Sequence, residues 1–139
     1  MKTYELIDHT ADIGVKAYGK TLPEAFENAA KAMFDIITDK SEIENIGQYD
    51  IKLKSESLEE LLVDWLSELL YIHSAQNLVF GFFKIVDFDD KKPRLHAHVF
   101  GEKLNISKHK IGTEIKAVTY HMVEVRNKKP YYVQVLFDI

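Results

Sequence analysis

Between Leu58 and Ile72 the sequence places Leu58, Leu61, Leu62, Val63, Trp65, Leu66, Leu69, Leu70, Tyr71 and Ile72. On a helix these side chains reach nearly every side, so the segment has little face to give to water and must be covered by other elements. Ser57 and Glu60 just ahead of it have the spacing of a capping box. We expect this to be the central helix. A chain of 139 residues that is 46% hydrophobic offers about 64 apolar side chains for the cover, enough for one domain over residues 1–139.

The covering elements can be read in order. Thr3 to Ile7 and Ile13 to Tyr18 read as short strands, the second alternating Ile13, Val15 and Ala17 against Gly14, Lys16 and Tyr18. Thr21 and Glu24 then repeat the capping-box spacing. Leu22, Ala25, Phe26, Ala29, Ala30, Met33, Phe34 and Ile37 follow at helical intervals, which predicts a helix with one buried face. Tyr49 to Lys54 reads as a strand leading to the central helix. The two strand–cap–helix units superpose when the chain is slid by about 36 residues, a possible internal duplication carried by few identities. From Leu78 onward the pattern is that of strands: Val79 to Phe88, a turn at Asp89–Pro93, Arg94 to Lys103, then Val118 to Arg126, a turn at Asn127–Pro130, and Tyr131 to Ile139. The expected class is α+β, two main helices packed on a largely antiparallel sheet.

Composition removes several chemistries. There is no cysteine, hence no disulfide, thiolate zinc site or thiol nucleophile. The six glycines make no phosphate-cradling or dinucleotide loop, and neither a nucleophile-elbow serine nor HExxH occurs. The acidic start lacks the apolar core of a signal peptide and no stretch has the length of a membrane span, so we expect a cytoplasmic protein with no membrane partner. The net charge of −4 hides an uneven distribution: residues 1–90 carry 8 Lys/Arg against 18 Asp/Glu, and residues 91–139 carry 10 against 4. That division suggests two electrostatic faces, unless the halves intermix in space.

Three clusters could carry chemistry. In Asp8–Gly14, the carboxylates of Asp8 and Asp12, the His9 imidazole and the Thr10 hydroxyl can hold a hard cation or organise a turn. At the other end Asp138 stands beside the α-carboxylate of Ile139. With Asp12 these would form an oxygen-rich site suited to Ca²⁺, Mg²⁺ or Mn²⁺, the alternative being an ordinary exposed strand end. Glu114–His121 leads from a basic loop, with Lys108, His109, Lys110 and Lys116, into a strand where Thr119 and His121 would share a face opposite Tyr120. Lys116 there would counter the carboxylates or meet an anionic partner. His96 and His98 share a strand face and form an H-x-H pair, but no third ligand is evident in the neighbouring sequence, and a solvated sheet face is the plainer reading. Glu102 is either a polar site residue or a strand end.

Taken together, Asp8–Gly14, Tyr18–Gly19, Leu61–Leu70, Gly101–Glu102, Glu114–His121 and Asp138–Ile139 resemble the archeases, with the motifs in the family's order along the whole chain. The resemblance implies a non-catalytic accessory factor of an RtcB-type RNA ligase. That enzyme joins a 3′-phosphate or 2′,3′-cyclic phosphate to a 5′-hydroxyl through a covalent GMP on a ligase histidine, in tRNA splicing or RNA repair. The factor would promote guanylylation and multiple turnover, touching RNA at most indirectly. The family's metal-binding positions fall on Asp12, Asp138 and the Ile139 terminus, which would hold a divalent cation. Lys116 matches a lysine linked to function, and Asp8, His9, Thr119 and His121 lie in the same motifs. His96 and His98 are not carried over. The competing class is a small metal-dependent hydrolase built on the same carboxylates.

Overall fold

The computed structural model describes residues 2–9 and 11–139, without the side chains of Asp8 and His9. Two helices form where the capping boxes begin. Thr21 Oγ1 accepts from the Glu24 N–H at 3.2 Å and opens α1 (Leu22–Thr38), while Ser57 Oγ accepts from the Glu60 N–H at 3.1 Å and opens α2 (Leu58–Gln76). In both, the glutamate reaches back to the N–H one residue before the cap, Lys20 at 2.9 Å and Glu56 at 3.1 Å. Two orphan amides are thus satisfied at each helix start. Both helices end on a left-handed cap residue, Asp39 and Asn77.

The remaining elements are β1 (Tyr4–His9), β2 (Asp12–Gly19), β3 (Gly47–Lys54), β4 (Leu78–Asp89), β5 (Arg94–Lys103), β6 (Ala117–Arg126) and β7 (Tyr131–Asp138). Every pairing is antiparallel. The strands divide into two sheets, of order β1-β2-β7-β6 and β3-β5-β4, where the sequence pattern suggested one. The α+β class stands. Each sheet joins strands from the acidic residues 1–90 with strands from the basic remainder, so the charge division along the chain is not a division in space.

The helices explain the split. α1 packs on β1, β2 and β7 of the larger sheet and on β4 of the smaller one, and α2 packs on β6, β3, β4 and α1. The greater enclosure falls on α1, against the expectation that α2 would be the central helix. Ala25, Ala29, Ala30 and Ala32 of α1 are fully buried, and such small side chains let both sheets close on it. On α2, Leu61, Leu62, Val63, Trp65, Leu66, Leu69 and Leu70 are buried but Tyr71 is 66% exposed. Trp65 Nε1 donates to the Phe26 carbonyl at 3.0 Å and ties the helices together. Phe34 packs edge-on to Phe80, with ring centroids 5.5 Å apart, and beside Phe83 at 6.0 Å. The two strand–cap–helix units keep the same order, yet β2 lies inside one sheet and β3 at the edge of the other, and a duplication is not established.

β6 departs most from its sequence pattern. Its pairing with β7 runs from Ala117 to Thr119, slips, and resumes at Glu124 opposite Gln134. The intervening Tyr120–Val123 segment bulges from the ladder, with Met122 at φ 57° and Tyr120, His121 and Met122 all exposed. The alternation that would set Thr119 and His121 on one face does not run through it.

Candidate functional site

β2 takes in the Asp12–Gly14 part of the Asp8–Gly14 motif, and it enters the sheet with Ile13 opposite Phe137, Val15 opposite Val135 and Ala17 opposite Val133. Val15, Ala17, Val133, Val135 and Phe137 are all fully buried, and a slip by one residue would send that set to the solvent face, so burial fixes the register. The consequence lies at the end of the ladder: Asp12 stands directly opposite Asp138. Residues so placed share a face, with Cβ atoms about 4.5–5.5 Å apart. On the other side of β7, Ala117 is the register partner of Asp138, and the Lys116 N–H donates to the Asp138 carbonyl at 2.7 Å. Ile139 is half-buried and packs against the core. One end of the larger sheet therefore gathers Asp12, Asp138, Ile139 and Lys116 from three strands.

Two fastenings hold the loop that delivers Lys116, beside a bond from the Lys110 N–H to Ser41 Oγ at 2.7 Å. The first is Glu102, at the end of β5. Its Oε1 accepts from Lys108 Nζ at 2.8 Å, its Oε2 from the Glu44 N–H at 2.7 Å, and its Oε2 lies 3.0 Å from Nε2 of the buried His109. Burial alone would push the Glu102 carboxyl up. The bonds from Lys108, Glu44 and His109 outweigh it and hold the group at about 2. The same contact raises the Lys108 ammonium above its ordinary value. The second fastening is the end of α1, where the N–H groups of Gly112 and Thr113 donate to the carbonyls of Ile37 and Ile36 at 2.9 Å each. A Cβ on Gly112 would lie 2.1 Å from the Ile36 oxygen, so only glycine fits there.

Lys116, Ala117 and Val118 face Ser67, Leu70, Tyr71 and Ser74 of α2 across a shallow cleft of about 350 Å³. Thr119 lies three residues along β6 from Lys116 and donates its hydroxyl to the Leu136 carbonyl at 3.0 Å, which uses it within the sheet. His121 is exposed in the bulge. The backbones of Asp8 and His9 pair with Ile13 and Asp12, while their side chains lie outside the described structure. Glu102 belongs to the fastening of the loop, joining Lys108 and His109, six and seven residues on, to Glu44, which lies 58 residues away in the chain. Sequence reading also missed Asp50, which β3 brings alongside His96 and His98.

Two carboxylates placed opposite each other on adjacent strands are oxygen donors of the kind that could hold a hard divalent cation. Fold and site together define a class: a small α+β domain of two antiparallel sheets clasping two helices, with an acidic pair beside a fastened basic loop. Comparison with known proteins gives the relationship. Residues 4–139 match the archease protein family, and the chain belongs to it. It is 45% identical to the protein archease of Methanosarcina barkeri over 99% of this chain and 97% of the relative. With its counterpart from Sulfurisphaera tokodaii it shares 41% over 96% and 95%. The solution structure of Methanobacterium thermoautotrophicum protein 1598 superposes with a TM-score of 0.82, at 40% identity and full coverage of both chains. A crystal structure from Thermotoga maritima, described as an archease and possible chaperone, shares the fold at a TM-score of 0.58 and 19% identity, covering 96% of this chain and 94% of that one.

Proposed function

We propose that this protein is a non-catalytic, metal-binding accessory factor of the cytoplasm that activates an RtcB-type RNA ligase by promoting its guanylylation and multiple turnover. The observation that carries the reading is the register pairing of Asp12 with Asp138, with Lys116 anchored to the same residue. Asp12, Asp138 and the Ile139 α-carboxylate would hold the cation, whose charge offsets their repulsion and offers open positions to oxygen ligands of a partner. Lys116 is exposed at the rim of the cleft, where an ammonium can meet an anionic surface or phosphate of the ligase. Glu102 and the end of α1 keep that lysine in place. Family membership supports the same reading, as does the possible-chaperone description of the Thermotoga maritima relative.

The test is multiple-turnover RNA ligation by an RtcB-type ligase with this protein added, and with its Asp138→Asn and Lys116→Ala variants. Wild type is expected to sustain turnover and each variant to lose most of the stimulation while keeping the wild-type circular dichroism spectrum. Phosphatase, nuclease or nucleotidase turnover by the protein alone would favour a hydrolase instead.

A further inference from the structure

The outer face of the three-stranded sheet holds a second cluster, remote in the fold from the Asp12–Asp138 end. Asp50 of β3 is the register partner of His98 on β5, and His96 lies two residues back on the same face. His98 Nδ1 is 2.7 Å from Asp50 Oδ1, and His96 Nε2 is 3.8 Å from Asp50 Oδ2. One ligand atom from each of the three residues lies within 4.8 Å of the others. The imidazole rings meet edge to face with centroids 5.1 Å apart.

The hydrogen bonding is lopsided. Asp50 takes His98 on one oxygen, and Gln48 Nε2 comes within 3.5 Å of that same oxygen. His96 Nε2, by contrast, is buried and has no hydrogen-bond partner among the described residues. A buried imidazole nitrogen left so costs free energy that a ligand would recover. On β4, Asp87 is opposite His96 but is engaged by Arg94 at 3.4 Å, and Lys84, opposite His98, is exposed. No cysteine is present to draw a thiophilic metal elsewhere.

From this geometry we propose that Asp50, His96 and His98 form a surface site for a borderline transition-metal dication, Zn²⁺ being the representative ion. Two imidazoles and one carboxylate on one face are a donor set such ions favour over Ca²⁺ or Mg²⁺. His96 binds through Nε2 and His98 through Nδ1, whose hydrogen bond to Asp50 gives way to a shared metal ligation. Water completes the coordination on the open side. The site is independent of the carboxylate pair assigned to ligase activation.

Tag-free protein is titrated with Zn²⁺ by competition against a chromophoric chelator, for wild type and for His96→Asn, His98→Asn, Asp50→Asn and the Asp12→Asn/Asp138→Asn double variant. Histidine ring NMR signals are followed in parallel. Wild type is expected to bind one equivalent with shifts at His96 and His98. Each single variant is expected to bind at least about tenfold more weakly, as loss of a ligand should cost no less than loss of an outer-shell partner. The double variant should keep wild-type affinity. The altered residues are partly exposed, and a melt of each variant checks the fold. If the single variants bind as tightly as wild type, or zinc shifts other histidines only, the proposal is overturned. Weakening confined to the double variant would also overturn it, placing zinc at the carboxylate pair.

Discussion

Asp138 ties three strands together at one point: its backbone accepts from Lys116, and its side chain shares a face with that of Asp12. Removing one charge of an opposed pair should not harm the metal-free fold. Asp12→Asn and Asp138→Asn are therefore expected to melt within about 1 kcal/mol of wild type, and to lack the thermal stabilisation that added Ca²⁺ or Mg²⁺ is expected to give the wild-type protein. Thermal melts with and without cation check this, and variants that melt far below wild type would make the aspartates structural. Adding two residues after Ile139 should likewise weaken cation binding in calorimetry, since one anionic ligand becomes a peptide carbonyl, whereas an amino-terminal extension should not. Glu102 gives a prediction in pH. Its folded value is depressed to about 2 from 4.5, so its contribution is fully present above 4.5 and is lost as pH falls toward 2. Glu102→Gln should cost about 1.5–3 kcal/mol near neutral pH, the range for bonds to charged groups. That gap between wild type and variant should close through the acid range in denaturant melts.

At the scale of elements, the loop from Asn105 to Lys116 is held where Gly112 touches α1. Gly112→Ala must displace the Ile36 carbonyl, breaking both backbone bonds to α1. We expect a loss of about 1–3 kcal/mol, and amide exchange faster at Gly112 and Thr113 than at the centre of α1. Both helices and their caps were legible because their signals are local: Thr21 with Glu24 and Ser57 with Glu60 act within a single turn. The strands were legible too, with bounds within two residues of those observed. Their pairing was not. Two sheets rather than one follows from α1 needing cover on both sides, and β6 breaks at Tyr120–Val123 because β7 offers it too few partners. The candidate site divides the same way. Asp12 and Asp138 were visible as residue types, but their opposition is set by the burial of Val15 and Val135 between them and the rest of the strand. His96 and His98 were visible as a face-sharing pair, whereas Asp50 comes from a strand 46 residues earlier by number and only the fold joins them.

Across the whole molecule, the acidic and basic portions of the chain interleave in both sheets. Recognition of the proposed partner would therefore rest on local features, the loop lysines Lys108, Lys110 and Lys116 and the carboxylate pair, rather than on a bulk dipole. Lys108 is already engaged by Glu102 and Glu44, which leaves Lys116 as the cation nearest in sequence register to Asp138. Association with the ligase should slow as ionic strength rises, and Lys116→Ala should flatten that dependence; surface plasmon resonance at several salt concentrations would read both. The most direct test of the central claim is the amount of covalent ligase–GMP formed from labelled GTP by an RtcB-type ligase, measured after one round of ligation with and without this protein. The account predicts that wild type restores guanylylation and that Asp12→Asn, folded as well as wild type, does not. Equal guanylylation in all three samples would contradict it.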